Sequence, residues 1–278
     1  MDPKQETITV IRPITRWEVL NVRQIFAFKD LLKAFGLRDI KLRYRQTALG
    51  VAWVLLQPII AAGVMSFVFN RVAGLKAPGN LPYFLFCFAG MLGWNVFNST
   101  LTKAAGSLIL NTALVSKVYF PKALVPLSSM FASLVDLAVA TGFFFLLLPF
   151  YGVGLTWQIL LTPVWVFFLL LASLGIGLYS SALMVSYRDV QYILPVVTNL
   201  LYFATPIAFS LEAVPSSLRW FVSINPLTGL LEGMRWSLLG TGTLNMGSTI
   251  YSIVTAVLVF IAGALLFGRS ERRFADVI

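Results

Sequence analysis

The stretch RDIKLRYRQTALGVAWVLLQP, which covers residues 38–58, decides the fold class because a dense block of positive charge changes within three residues into an apolar run. The block contains Arg38, Lys41, Arg43 and Arg45. A soluble protein has little reason to place these cations directly against residues 48–56, whereas a helix that enters a bilayer collects cations at the water interface. The stretch therefore predicts a basic interfacial segment followed by a transmembrane helix.

The composition of the chain agrees with a membrane protein. Of its 278 residues, 58% are hydrophobic and only 12% are charged, a balance that is typical of chains whose core is shared with lipid. The chain has one cysteine, Cys87, and no histidine. This excludes disulfide frameworks, metal sites built from cysteine and histidine, and histidine-based catalysis. We expect no metal centre, and the sequence offers no candidate catalytic residue.

Long apolar runs predict an all-α membrane protein with six transmembrane helices. The candidate spans are residues 48–70, 81–102, 123–150, 159–186, 190–210 and 250–267. Between the last two spans, residues 215–240 contain too many charges and helix breakers for a further crossing and predict a re-entrant or interfacial helical pair, for which an outer gate is one expected role. The gate candidates are Pro226, Gly229, Glu232 and Arg235. Pro226 and Gly229 are expected to divide the segment into two short helices, and a surface loop with amphipathic helices is the alternative.

The distribution of lysine and arginine predicts the orientation. Of the 21 basic residues, 17 fall in the N-terminal segment, in the predicted loop 103–122, in the turn after Tyr187 and in the C-terminal tail, all on one side of the six spans. Basic segments stay in the cytoplasm, so both termini are expected there. The chain accordingly divides into a cytoplasmic N-terminal segment with the interfacial helix (1–47), a transmembrane domain (48–268) and a cytoplasmic tail (269–278).

The basic block itself has the pattern of an amphipathic helix. Leu37, Ile40 and Tyr44 share one helix face, and the cations occupy the neighbouring face. Such a helix lies along the cytoplasmic leaflet. Two roles for its cations stay open: they anchor the first span to anionic headgroups, or they also gather the phosphates of an anionic lipid substrate.

Five separated segments carry a family resemblance: the opening stretch, LVSKVYFPKALVPL, VSYRDVQYILP, INPLTGLLEGMRWSLLG and FADVI. In this order they resemble the polysaccharide-exporting permeases of the ABC-2 type, and most of all the transmembrane subunits of O-antigen exporters. The resemblance implies a six-span subunit of the bacterial inner membrane that works as a homodimer with two copies of a cytoplasmic ABC ATPase. The implied cargo is a lipid-linked polysaccharide moved outward, with capsular polysaccharide and teichoic acid as alternative cargoes.

The chain lacks the G-x-x-x-x-G-K-[ST] loop that holds the phosphates of ATP. We therefore expect no cofactor in this chain, with ATP and Mg²⁺ bound by the partner ATPase. The resemblance implies that the loop after the second span is a coupling helix that docks in a cleft of the ATPase. Its candidate contact residues are Leu114, Lys117, Tyr119 and Phe120. The apolar residues of this loop are expected to be exposed for docking, and the alternative is that they tuck under the spans.

Three further charged residues need an explanation. Arg188 and Asp189, in the turn between the fourth and fifth spans, are expected either to contact the ATPase or to cap and pair locally. Asp136 lies inside the third predicted span, where a charge costs roughly 2.5 to 3.5 kcal/mol. A hydrogen bond to Ser, Thr, Tyr or Asn of another helix, or protonation, is the expected compensation, and a proton or ion relay is the alternative.

Aromatic residues are candidates for the wall of a channel. Trp53, Tyr202 and Phe203 could stack on sugar rings without a fixed hydrogen-bond pattern and so allow a polymer to slide. Membrane helices also collect aromatic residues at lipid-facing and interfacial positions, whatever their function. The sequence does not separate these two roles.

Other functions fit the sequence less well. An ion-coupled secondary transporter needs ionisable groups near the membrane midplane and often has inverted repeats, but only Asp136 qualifies and no repeat is visible. A membrane glycosyltransferase needs carboxylates in a loop, for which only Glu212 and Glu232 stand on the outer side. An ABC importer permease has a different cytoplasmic loop pattern. The net charge of +10 suggests a nucleic-acid partner, but juxtamembrane cations account for it without one.

Overall fold

The chain folds into helices joined by short irregular segments. The computed structural model describes residues 22–45 and 52–271, and no β-strand is present in these ranges. The helices are α1 (Val22–Ala27), α2 (Lys29–Arg45), α3 (Ala52–Ser66), α4 (Tyr83–Leu110), α5 (Thr112–Lys117), α6 (Leu124–Leu147), α7 (Thr162–Ser186), α8 (Val190–Ala204), α9 (Ser216–Ser223), α10 (Pro226–Leu239) and α11 (Met246–Glu271). The all-α class is confirmed for the described chain, whereas residues 1–21, residues 46–51 and the segment FADVI lie outside the described residues.

Five helical stretches of the described chain are long and apolar enough to cross a bilayer. They are Ala52–Val72, Tyr83–Leu110, Leu124–Tyr151, Trp157–Ser186 and Met246–Glu271. The fifth predicted span, residues 190–210, corresponds to α8, whose 15 residues are fewer than the roughly 20 that a spanning helix needs. Helix α8 ends because Thr205, which precedes Pro206, has an extended backbone with φ −105° and ψ 137°, and a residue before proline disfavours the helical conformation. The prediction of a helix over residues 190–210 is therefore wrong beyond Ala204.

Helix α4 forms the centre of the fold. It is largely buried and packs against α3, α6, α7 and α10. The helix continues to Leu110, past the predicted end of its span at residue 102, because Ala104, Ala105 and Leu108 are buried against neighbouring helices. The prediction that a loop begins at Lys103 is therefore wrong.

Helices α7 and α11 cross with their backbones in contact. A Cβ atom added to Gly263 would lie 2.0 Å from the carbonyl oxygen of Gly175, and one added to Gly175 would lie 2.6 Å from the carbonyl oxygen of Val259. Glycine allows membrane helices to approach this closely because it has no side chain. The two helices therefore form a tightly joined pair.

One end of the bundle is built around the C-terminal part of α4. There Leu108 belongs to an apolar cluster with Phe35 of α2, Phe120 of the segment after α5, and Phe267 of α11. Helix α2 also packs along α6, and a Cβ atom on Gly36 would lie only 2.5 Å from the ring of Phe131. We call this the basic end, because it also holds the cations of α2.

The opposite end holds the predicted gate segment, which forms the two helices α9 and α10 as expected. The break between them lies at Asn225, whose side chain accepts a hydrogen bond from the Leu227 N–H (3.0 Å) and so caps α10. Gly229 lies inside α10, and a Cβ atom there would lie 2.6 Å from the carbonyl oxygen of Ser248 in α11. The prediction that Gly229 breaks the segment is therefore wrong, because this glycine serves close helix packing. We call this the cavity end, because a cavity opens there beside α10.

Candidate functional site

A cluster of charged side chains joins α2 to the spans at the basic end. Asp136 of α6 lies 2.9 Å from Nη2 of Arg43 and 3.3 Å from Nζ of Lys103 through its Oδ2 atom. The Tyr44 hydroxyl donates a hydrogen bond to the Oδ1 atom of the same carboxylate (2.7 Å). Burial and this hydrogen bond raise the pKa of Tyr44. Each carboxylate oxygen of Asp136 therefore has at least one partner.

The sequence predicts only some of the partners that compensate the negative charge of Asp136. A tyrosine hydroxyl is among the hydrogen-bond partners that the sequence predicts, but the two ion pairs are additional. The sequence does not predict these ion pairs, because its pattern places Lys103 in a loop and Arg43 at the lipid surface. A charge that is 14% exposed in its side chain and paired with cations on two other helices fastens those helices together.

The four cations of the opening stretch fall into two groups. Arg43 is bound to Asp136, and Arg38 pairs with Asp39 at 2.9 Å and stacks on Phe35 at 5.3 Å from the ring centroid. Lys41 and Arg45 are exposed and form no ion pair with any residue of 22–45 or 52–271. Of the four cations of the opening stretch, these two are the ones that the described chain leaves open to other partners.

The predicted coupling loop is divided between a buried and an exposed part. Phe120, at 3% exposure, packs edge-on against Phe35 with 5.6 Å between ring centroids, and Val115 is also buried. Tyr119 is 70% exposed, Lys117 is exposed and Leu114 is half-buried. The expectation that Phe120 and Val115 are exposed is therefore wrong, because α2 covers them. Tyr119 is the aromatic residue that this loop presents outward.

Lys122 fixes the shape of this loop. Its ammonium group donates hydrogen bonds to the carbonyl oxygens of Val115 and Val118 and lies 5.0 Å from the centroid of the Phe120 ring. Its backbone N–H donates to Oε1 of Glu271 in α11 (2.8 Å). Burial lowers the pKa of Lys122. The loop is thus tied to the end of α11.

Arg188 and Asp189 lie in the turn before α8 and are both exposed. Asp189 occupies the N-cap position of α8, but its side chain makes no capping hydrogen bond. No ion pair joins the two residues in the described chain. The local capping and pairing roles are therefore not formed, and both side chains are available to a partner.

The cavity end contains an open cavity of about 270 Å³ between α10 and the segments on either side of it. Charged and aromatic side chains line it, among them Phe86, Glu212, Arg219, Glu232, Arg235 and Trp236. Its rim is polar and includes Thr241, Thr243 and Asn245. Of the four predicted gate residues, Glu232 and Arg235 thus share one site, whereas Pro226 and Gly229 do not line it.

Arg235 is the most deeply buried cation of this cavity, at 5% exposure. Its guanidinium donates to the carbonyl oxygens of Phe209 (3.3 Å) and Pro206 and lies 4.0 Å from the centroid of the Phe86 ring. Burial lowers its pKa. Its Nε atom is buried without a hydrogen-bond partner in the described chain.

Glu232 lies one helical turn before Arg235. Its Oε1 atom accepts a hydrogen bond from the Leu211 N–H (3.0 Å), and burial raises the pKa of its carboxyl group. No hydrogen bond within the described residues engages its Oε2 atom. Glu232 therefore keeps one carboxylate oxygen that the described chain leaves unused, in a cavity that Arg235 also lines.

The three candidate channel aromatics occupy different environments. Trp53 and Phe203 are 55% and 77% exposed on α3 and α8. Tyr202 turns inward, packs edge-on against Trp94 with 5.2 Å between ring centroids, and points its hydroxyl at the sulfur of Met91 (3.5 Å). Tyr202 is thus part of the packing of the bundle, and only the other two present open aromatic faces.

Sequence reasoning missed Lys103, Tyr44 and Phe86 as members of these sites. A signal for the first was present, because Asn95, Ser99 and Lys103 recur every four residues along α4, which places polar groups on one helix face. That face meets α6, where the hydroxyls of Ser99 and Ser133 lie 3.0 Å apart. No sequence signal identifies the contact between Phe86 and Arg235.

The chain is similar to known proteins along most of its length. The family model described as ABC-2 type transporter matches residues 30–239. The O-antigen export system permease protein RfbA of Klebsiella pneumoniae is 27% identical over 255 residues, which cover 90% of this chain and 95% of that protein. The protein of the same name from Myxococcus xanthus is 28% identical over 212 residues, 76% of this chain and 80% of that protein. The polysialic acid transport protein KpsM of Escherichia coli is 24% identical over 259 residues, 87% of this chain and 95% of that protein.

Proposed function

Since the chain belongs to the ABC-2 type transporter family, we propose that it is the permease subunit of an ATP-driven exporter that moves a lipid-linked polysaccharide of the O-antigen kind out of the cytoplasm. The chain is the membrane subunit of an ABC transporter, and ATP is hydrolysed by a separate protein. The observation that carries the proposal is the similarity to O-antigen export permeases over 90% of the chain.

We propose six membrane crossings, with α8 and the segment after it as the fifth. At about 1.5 Å per residue, the 15 residues of α8 cover about 22 Å of a hydrocarbon core of about 30 Å. The chain beyond Ala204 then continues to the cavity end, where the Tyr83 hydroxyl donates to the carbonyl oxygen of Ala208 (2.5 Å). The irregular backbone of residues 205–210 is tolerated at this depth because protein covers it.

We propose that the basic end faces the cytoplasm and the cavity end faces outward. The cations of α2 and the loop after α5 lie at the basic end, and basic segments stay on the cytoplasmic side. In this orientation α9 and α10 form a re-entrant pair at the outer end of the path. The similarity to O-antigen permeases supports the bacterial inner membrane as the location.

We propose a homodimer with two copies of an ABC ATPase. Helices α3 and α8 expose large apolar side chains, among them Trp53, Ile60, Val196 and Phe203, and such faces are covered by lipid or by a second copy. Tyr119, together with Arg188 and Asp189 across the same end, forms the surface offered to the ATPase, since these residues are exposed. Phe120 holds the loop in place from inside.

We propose Lys41 and Arg45 as the cations that meet anionic lipid or the phosphates of the carrier lipid. They are exposed, whereas Arg43 is bound to Asp136. A guanidinium binds a phosphate through two parallel hydrogen bonds, which favours Arg45 for the phosphate contact.

The proposal is tested by deleting the protein in its native host. Surface polysaccharide should disappear, lipid-linked polymer should accumulate inside the cell, and the wild-type chain supplied on a plasmid should reverse both changes. Purified chain without its ATPase should hydrolyse no ATP. A deletion strain that keeps its surface polysaccharide would contradict the proposed function.

A capsular polysaccharide is the second candidate cargo, because the chain is also 24% identical to a polysialic acid transport protein. The two cargoes differ in their attachment. Polymer linked to the lipid A core in the wild type, and absent from it in the deletion strain, supports the O-antigen kind. Loss of a capsule with unchanged lipid A-linked polymer supports the capsular kind.

A further inference from the structure

We propose that the cavity at the cavity end binds one sugar unit of the polymer that leaves the transporter. The inference rests on the proposed function, because it assigns a carbohydrate contact to the outer end of the export path. It goes beyond that function in naming the site, the chemical class of the ligand and the atoms that meet it.

Arg235 supplies the donor of the site. The guanidinium is fixed by two backbone carbonyls and by the Phe86 ring, so its orientation does not depend on a ligand. Its Nε–H group is buried and has no acceptor in the described chain, although an unsatisfied buried donor costs about 1–3 kcal/mol. Groups of this kind in a native protein call for an explanation, and the Arg235 side chain lines the adjoining cavity.

Glu232 and Glu212 supply acceptors. The Oε1 atom of Glu232 is occupied by the Leu211 N–H, which leaves Oε2 for the cavity. Glu212 accepts a hydrogen bond from the Thr243 hydroxyl (3.2 Å) at the exposed rim. Carboxylate oxygens are strong acceptors for hydroxyl groups, and a sugar ring presents several hydroxyls in different directions.

The charge balance argues against a simple anion site. Two carboxylates, Glu212 and Glu232, line the cavity together with the guanidiniums of Arg219 and Arg235, so a phosphate or carboxylate would meet repulsion as well as attraction. A neutral polyol uses both kinds of group, because each of its hydroxyls donates and accepts. The lining therefore favours a saccharide.

The size and the aromatic wall agree with one ring. The cavity, at about 270 Å³, lies below the roughly 300–1,000 Å³ typical of pockets for larger ligands. Trp236 contributes an aromatic surface and is held edge-on by Trp157 with 6.1 Å between ring centroids. An apolar ring face beside convergent polar groups is the usual construction of a small-molecule pocket.

The test uses the complex of the full chain with its ATPase in lipid nanodiscs and saturation-transfer difference NMR. The probes are the methyl glycosides of glucose, galactose, mannose, rhamnose and N-acetylglucosamine. Wild-type complex should transfer saturation to the ring protons of at least one glycoside. Glu232→Gln keeps the acceptor for Leu211 but loses the free carboxylate oxygen, and should weaken binding about tenfold, the effect of one charged hydrogen bond.

Two further variants separate a ligand site from a folding defect. Thr243→Trp adds bulk at an exposed rim position and should abolish the signal by filling the cavity, while Ser217→Ala, exposed on α9 and outside the cavity lining, should bind like the wild type. The inference is overturned if no glycoside binds the wild type, if both cavity variants bind normally, or if inorganic phosphate displaces the bound glycoside. Failure here with intact ATPase binding and export would leave the proposed function standing, whereas a deletion strain with normal surface polysaccharide would remove the function itself.

Discussion

The two ends of the bundle differ in the groups that compensate a buried positive charge. At the basic end, Arg43 and Lys103 lie 2.9 Å and 3.3 Å from the carboxylate of Asp136. At the cavity end, Arg235 is more deeply buried, yet no carboxylate pairs with it among residues 22–45 and 52–271. The first arrangement satisfies its charges within the chain and so joins helices. The second fixes a cation with backbone carbonyls in the wall of an open cavity.

The largest expected effect comes from breaking the closed cluster. Asp136→Ala leaves two cations without their counter-ion and should lower the free energy of unfolding by about 3 kcal/mol, at the lower end for buried pairs because Arg43 is partly exposed. Unfolding of the purified chain by SDS titration in detergent micelles measures this loss. The control is Asp39→Ala, which removes a surface pair with Arg38 and should cost less than about 1 kcal/mol. Equal losses for the two variants would show that Asp136 is not a structural anchor.

Removing Arg235, the buried cation of the cavity end, should lower the free energy of unfolding by a smaller amount. Arg235→Met leaves the carbonyl oxygens of Pro206 and Phe209 without their donor, which should lower the free energy of unfolding by about 2 kcal/mol. The change does not break an ion pair. The same SDS titration compares it with Asp136→Ala. Arg219→Met, an exposed change at the same cavity, serves as the control and should be close to neutral. If Arg235→Met were the more damaging of the two buried changes, the contrast between the ends would fail.

A third change tests the exposed surface of the basic end, which is proposed to bind the ATPase. Tyr119 is exposed, so Tyr119→Ala should leave the unfolding transition unchanged and weaken binding of the ATPase about tenfold, since truncated interface aromatics often cost more than 1 kcal/mol. Titration of labelled ATPase onto nanodiscs that hold the permease gives the affinity. Tyr119→Phe keeps the ring and is expected to bind normally. Unchanged affinity in the alanine variant would place the docking surface elsewhere.

The smallest expected effect separates two neighbouring arginines. Arg45→Lys keeps the charge but loses the planar fork, and should reduce export about threefold, as for one weakened hydrogen bond. Arg43→Lys keeps a cation for Asp136 and should export like the wild type. Surface polysaccharide in the complemented deletion strain is the measurement. A defect in the Arg43 variant with none in the Arg45 variant would mean that the phosphate contact lies at the closed cluster instead.

Hydropathy was sufficient to predict most of the fold. Five of the six predicted spans coincide with long apolar helices, because an uninterrupted apolar run of that length has few other stable environments. The errors concern the ends of helices, at positions where a local interaction decides the boundary and the length of the apolar run does not. Pro206 ends α8 early. Helix α4 continues past Lys103 because the residues that follow are buried and because Asp136 compensates the charge of Lys103.

The candidate sites could be predicted only in part. The basic block and the gate charges were found as isolated positions, but their partners are distant in sequence. Asp136 and Arg43 are brought together by the packing of α2 on α6, and Phe86 meets Arg235 only after α4 and α10 pack. A single sequence carries no signal for such pairs, so neither the pairing of Arg43 nor the open bonding capacity of Arg235 was foreseeable.

The crossing of α7 and α11 at Gly175 and Gly263 has a mechanical consequence. A Cβ atom added to Gly263 would lie only 2.0 Å from the carbonyl oxygen of Gly175. The two helices therefore cannot slide past one another, and we expect them to move as one rigid unit. Helices α3 and α8 are held far less firmly, since each has only two buried residues. We therefore expect that α3 and α8, and not the pair α7 and α11, change position when a passage for a bulky polymer widens.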